Sequence, residues 1–216
     1  MRVLVIENSA VAPVGLFGEW LAGRGARLTT VAPESLPDRP DSDLIVILGS
    51  PAAVYDNAPW MLRQRDFLRA AMADGTGLVG ICFGAQMIAS VIGGTVAPMG
   101  RRHAGWIAND EATDPVWRGP WVRWHGDHVI LPEGTEVMAR DQGTIQAFGH
   151  GRAVAVQFHP EADAAIIDDW ARATPAWLDE NGLDLAALQA ESQRRMRDNA
   201  AERDALFSEL LRRAGV

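Results

Sequence analysis

Lysine is missing from this chain of 216 residues, and all 20 of its basic side chains are arginine. That absence excludes a phosphate-cradling Gly-Lys-Ser/Thr loop and a lysine Schiff base, because both need the lysine amine. Cysteine is present once, at Cys82, so no disulfide can close within the chain. Basic charge is in deficit: 28 acidic against 20 basic side chains leave a formal net charge of -8 and a pI near 5.1. Nucleic acid and anionic membrane surfaces attract basic patches, so neither is expected as a partner. From Gly75 to Gly100 there is no charged residue, yet seven glycines and Pro98 interrupt the stretch, which argues against a spanning helix. The opening segment, MRVLVIENS, has neither a long apolar run nor a small-residue cleavage site, so a cytoplasmic setting is the expectation.

What is there is the composition of a globular domain, 48% hydrophobic and 22% charged, with length enough for one large core. Val3–Glu7, Asp43–Gly49 and Gly77–Ile81 read as short, fully buried strands. Val14–Gly25, Pro59–Gly75 and the segment after Phe83 carry helical periodicity, with glycine or proline at their ends. Continuous apolar strands separated by helices predict an α/β domain with a central, mostly parallel sheet flanked by helices. After Gly100 shorter alternating segments suggest an antiparallel or mixed extension of that sheet, closing with an apolar strand at Ala153–Phe158. Leu183–Ala214 lacks glycine and proline and is expected to form one long, polar C-terminal helix, docked through Leu206, Phe207, Leu210 and Leu211.

The single cysteine sits in Gly80-Ile-Cys82-Phe-Gly84, a G-x-C-x-G pattern between a predicted strand and a predicted helix. A nucleophile elbow has this layout: a sharp turn presents the nucleophile above the sheet, and the glycines leave room where side chains would collide. The helix that follows points its N-terminal N–H groups at Cys82 and favours thiolate, and the Phe83 N–H becomes available to an oxyanion. A lone cysteine in an apolar run is also an ordinary core residue, so a partner base decides between the two.

Of the five histidines, His159 follows directly on the apolar strand, at the edge where a parallel sheet presents ligands. Glu161, two residues on, projects to the same side of extended backbone and can orient the imidazole. Cysteine, histidine and carboxylate in these roles form a triad. His125, Gly126, Asp127 and His128 read as a solvated or substrate-binding loop. No second cluster with ligand spacing accompanies them, so no metal is expected. Trp106, Trp117, Trp121 and Trp124 read as core or rim packing.

Together "GICFGAQ", the distal "FHPE" and the strand-end "LGSPAAVYD" resemble the class I (triad) glutamine amidotransferase family, and most of all its members similar to the amidotransferase part of GMP synthase. The resemblance covers roughly residues 1–165 and leaves 166–216 as a helical C-terminal extension. It implies Cys82 as nucleophile, His159 as general base and acid, Glu161 as the group orienting His159, and oxyanion donation from the backbone of Ser50 and Phe83. It further implies substrate contacts from Gly49, Gln86, His125, Gly126 and Asp127. Ser50 stands where many members have glycine. The activity implied is hydrolysis of the glutamine side-chain amide through a γ-glutamyl thioester, without a cofactor, and with ammonia passing to a separate synthase subunit. A γ-glutamyl peptidase or hydrolase acting on a small conjugate, and a non-catalytic binding module, stay open beside it. So does the role of the C-terminal helix, which docks on this domain, swaps into a homodimer or meets a partner.

Overall fold

The computed structural model of the chain describes residues 1–39 and 41–216. Its first half alternates strands and helices: β1 (Arg2–Ile6), α1 (Gly15–Gly23), β2 (Arg27–Val31), β3 (Leu44–Ile47), α2 (Pro59–Ala73), β4 (Gly77–Ile81) and α3 (Phe83–Val91). Successive side chains of a strand point to opposite faces, so a run that is apolar throughout has to be covered on both. Val3 and Val5 accordingly pack with Phe17 and Leu21 of α1, while Leu4 and Ile6 pack with the cluster of Leu68 on α2 and Met87 on α3. The edge strand β2, RLTTV, is largely exposed and has no apolar run to announce it; sequence patterning does not find it.

The second half comprises β5 (Thr95–Ile107), β6 (Glu111–Ala112), β7 (Trp121–Ile130), β8 (Glu136–Asp141), β9 (Thr144–His150) and β10 (Ala153–Val156). One eight-stranded sheet runs in the order β2-β1-β3-β4-β10-β9-β8-β6, parallel from β2 to β10 and antiparallel beyond. The expected antiparallel extension is therefore made by β6, β8 and β9. The strands β5 and β7 instead pair only with each other, as a separate two-stranded ribbon with a register break between Pro98 and His103. Ala104, Val122 and Trp124 of the ribbon belong to a third apolar cluster with Ile167, Trp170, Leu178 and Leu188, while Trp121 and Val129 pack in the two clusters that flank the sheet.

Four helices complete the chain: α4 (Ala164–Ala173), α5 (Pro175–Glu180), α6 (Leu185–Asp198) and α7 (Ala200–Ala214). The single long helix expected over Leu183–Ala214 is in fact two, divided at Asn199. The two halves serve different cores, α6 burying Leu188 beside the ribbon and α7 burying Leu206, Phe207, Leu210 and Ala214 against the sheet, and one straight helix cannot reach both. Phe207 lies 4.7 Å from Phe17 and 5.6 Å from Trp20, centroid to centroid. The end of α7 seats on β4 so closely that a methyl group at Gly77 would stand 2.5 Å from the Ala214 carbonyl oxygen. No helix among the described residues is long and apolar enough to cross a membrane.

Phe207 is fully enclosed between α1, α7 and the sheet. Phe207→Ala is expected to lower the unfolding free energy by about 3–5 kcal/mol, the cost of a large apolar truncation in a packed core. Urea titration measures it, and a change under about 1 kcal/mol would contradict the docking described.

Candidate active site

The chain leaves β4 at Ile81 and enters α3 at Phe83, so the whole turn falls on Cys82, whose φ is 52° and ψ is -108°. A side-chain-bearing residue in that region stores about 1–3 kcal/mol of strain, and neighbours must hold it there. The Cys82 N–H donates to the Val156 carbonyl of β10 at 2.8 Å. The flanking glycines make the turn feasible: a Cβ at Gly84 would lie 2.0 Å from the Ile47 carbonyl oxygen, and one at Gly80 would lie 2.7 Å from the Gly84 carbonyl oxygen. As the first residue of α3, Phe83 has an N–H without an intrahelical partner.

Because β4 and β10 are neighbours in parallel register, the segment after β10 arrives beside Cys82. The His159 N–H donates to the Val122 carbonyl at 2.7 Å and fixes the backbone there. The His159 Nδ1 meets Glu161 Oε1 at 2.7 Å, with the two side chains 3% and 1% exposed. Burial alone pushes the imidazolium toward losing its proton, but the Glu161 carboxylate and the Cys82 sulfur outweigh it and raise the His159 pKa to about 10. A β-carbon at Gly49, in the loop after β3, would stand 3.2 Å from His159 Cε1 and 3.9 Å from Cys82 Cβ, so a side chain here would press on the His159 ring.

A cavity of about 500 Å³ opens over these groups. Cys82, His159, Ser50, Gln86, His125, Gly126 and Asp127 line it, while Phe83, Glu161 and Gly49 support it from behind or between. All ten sequence-derived residues are thus brought to one place. The Ser50 hydroxyl accepts from the Ala52 N–H at 3.2 Å and shapes its own loop, which accounts for serine at this position. Gln86 Nε2 donates to Gln157 Oε1 at 3.3 Å. Tyr55, at the rim, donates to Asp127 Oδ1 at 3.3 Å, and burial raises the Asp127 carboxyl above its usual range.

Beneath His125 lies a buried polar layer that sequence reasoning missed. Arg123 donates to Asp141 at 2.7 Å and to Asn109 at 2.5 Å, and the His103 ring lies 5.5 Å from that of His125. Burial depresses the His125 pKa to about 3, so the ring is neutral, and Nδ1 donates to the Asp127 carbonyl at 2.9 Å. Also missed were Trp170 and Trp177, from α4 and α5. The Trp170 ring lies 4.6 Å from that of His159, and Trp177 stacks on Trp124 at 6.0 Å. Trp170 Nε1 donates to the Val11 carbonyl at 2.6 Å, a contact across 159 residues that no local pattern signals. Among the described residues, no group of three or more His, Cys, Asp or Glu could hold a metal ion.

The model of the family described as "Glutamine amidotransferase class-I" matches residues 21–168, a span that includes Cys82, His159 and Glu161. The chain belongs to the class I glutamine amidotransferases. Solved glutamine amidotransferases from Methylobacillus flagellatus and Thermotoga maritima superpose with TM-scores of 0.85 and 0.81 at 21% and 23% identity. Each covers 99% of this chain, with 94% and 96% of the solved chains included, so the amidotransferase fold extends through α7. A GMP synthase (glutamine-hydrolyzing) from Thermomicrobium roseum is 35% identical over 130 residues, and a gamma-glutamyl-L-1-hydroxyisopropylamide hydrolase from a Pseudomonas species is 32% identical over 144 residues. These stretches take in 54% and 55% of this chain, but only 23% of the synthase and 47% of the hydrolase.

The two perturbed histidines of this amidotransferase set opposite limbs of a stability profile. Below the ordinary histidine pKa of 6.5, an unfolded chain protonates His125 and the folded one does not until about pH 3, so its contribution is lost as pH falls. The His159 contribution is present below 6.5 and is lost as pH rises through about 10. Calorimetric Tm against pH is expected to flatten on the acid side in His125→Gln and on the alkaline side in His159→Gln. Curves parallel to the wild type would contradict both burial and pairing.

Proposed function

We propose that this amidotransferase hydrolyses the side-chain amide of glutamine through a γ-glutamyl thioester on Cys82. The observation that carries the reading is a cysteine on a strained elbow beside a buried histidine that is itself held by a carboxylate. The Cys82 thiolate adds to the amide carbon, and the carbonyl electron pair moves onto oxygen. Backbone N–H groups of Phe83 and Ser50 receive that oxyanion, each worth about 3–4 kcal/mol in comparable sites. As the carbonyl re-forms, the carbon–nitrogen bond breaks and the His159 imidazolium gives its proton to the departing nitrogen. Ammonia leaves. Water then adds to the thioester while His159 takes up its proton, the carbon–sulfur bond breaks, glutamate leaves, and the thiolate and the protonated His159 are restored. Glu161 holds the imidazole in the tautomer with Nδ1 protonated throughout, with Nε2 carrying the transferred proton.

In this reading residues 1–165 carry the amidotransferase chemistry, Gln86 and the His125–Asp127 segment receive the amino-acid end of the substrate, and an acceptor-activating partner consumes the ammonia. The similarity to a glutamine-hydrolyzing GMP synthase supports that partnership. A second reading, favoured by the Pseudomonas hydrolase, runs the same steps on an amide whose nitrogen carries a substituent.

Cys82→Ala is expected to lower ammonia release from glutamine by about a thousandfold or more, and Glu161→Gln by about 10²–10⁴-fold with KM little changed. Coupled glutamate assays measure both, and rapid quench with mass spectrometry reads the γ-glutamyl adduct on Cys82. Glutamine turnover that survives Cys82→Ala would overturn the assignment.

A further inference from the structure

Hydrolysis of glutamine leaves much of the cavity without a use. Ser50, Gln86, His125, Asp127, Asp169 and Thr174 supply its polar part, but the surface next to the His159 ring is mostly aromatic and aliphatic. Trp170 sits 4.6 Å from the His159 ring, Trp124 lies 6.0 Å from Trp170, and Trp177 stacks on Trp124 with 8° between the ring planes. Val11, Ala12, Pro13 and Ile166 continue this wall. The hydrogen bond from Trp170 to the Val11 carbonyl ties the loop to α4, so the wall is assembled before substrate arrives. A cavity of about 500 Å³ falls in the range that holds ligands larger than one amino acid.

Chemistry tells which part of a substrate meets that wall. The group that protonates the departing nitrogen is His159, so the scissile nitrogen lies at its ring. A substituent on that nitrogen continues past the ring, and the surface in contact with the ring is Trp170. Ammonia brings nothing to fill the space. An alkyl or aryl group buries its apolar surface there and gains ring contacts. Charge narrows the choice. The described lining contains Asp169, next to Trp170 in the chain, and no arginine, so an amine that carries its own carboxylate meets like charge and no cation there.

We propose that the aromatic wall is a leaving-group pocket, and that the chain hydrolyses γ-glutamyl amides of apolar primary amines in preference to glutamine and to γ-glutamyl amino acids. The proposal rests on the thioester chemistry assigned to Cys82 and takes up its second reading, in which the scissile nitrogen carries a substituent. Its balance is the same: the carbon–nitrogen bond breaks, the nitrogen takes the His159 proton to leave as the free amine, and water completes glutamate.

Three probes test it on the full chain: glutamine, γ-glutamylphenethylamide, and γ-glutamylphenylalanine, which differs from the second only by a carboxylate. The phenethylamide is expected to exceed each of the others in kcat/KM by about tenfold or more. Trp177→Ala, distant from the reacting atoms, is expected to lower the phenethylamide-to-glutamine ratio of kcat/KM about tenfold, and Trp177→Phe to restore most of it. Equal or greater kcat/KM for glutamine, equal hydrolysis of the acid analogue, or an unchanged ratio in Trp177→Ala would each overturn the pocket. Cys82-dependent hydrolysis of glutamine alone would remove the pocket and leave the thioester reading standing. No hydrolysis of any γ-glutamyl amide would remove both.

Discussion

Helix α3 lies so close on the sheet that a methyl group at Gly84 would stand 2.0 Å from the Ile47 carbonyl oxygen, and the site depends on that approach. With Gly80 and Gly84 lacking side chains, the chain reverses within one residue and places the start of α3 above β3 and β4. Cys82 takes the left-handed backbone that the reversal requires. A wider turn would carry the sulfur away from β10, and with it from His159. The strain at Cys82 is held by packing on both faces of β4 and by the bond from its N–H to Val156.

The second constraint is electrostatic. His159 and Glu161 are almost wholly shielded from water, where isolated charges are expensive. Each is tolerated because the other is there, and the same pairing keeps the imidazole charged. His125 lies in equally buried surroundings but faces a carbonyl instead of a carboxylate, and it is held neutral. Burial disfavours charge on both rings of this cavity; at His159 the Glu161 carboxylate and the Cys82 sulfur reverse it, and at His125 the single bond to a carbonyl does not.

Much of the fold was legible. Buried parallel strands are apolar throughout and their helices are punctuated by Gly and Pro, so β1, β3, β4, α1 and α2 appear in the pattern of residues. The polar edge strand β2 did not, since an edge strand exposed to water needs no apolar run. The break at Asn199 was also hidden, because α6 and α7 are both polar and only their different packing partners separate them. The pattern of residues does not separate the ribbon of β5 and β7 from the sheet, because alternation reveals a strand and not its neighbour.

The placing of Cys82, His159 and Glu161 together was legible because it follows from local geometry: glycines around a turn, a histidine at a strand end, a carboxylate two residues on. The sequence by itself determined the α/β class, the elbow turn and the pairing of His159 with Glu161, since each rests on spacing within a few residues. Only the tertiary structure decided that Trp170 and Trp177, from helices beyond the motif, would wall the cavity, and that Arg123 and Asp141 would lie under His125. Those contacts join residues far apart in the chain, and they exist only after the helices, ribbon and sheet have packed.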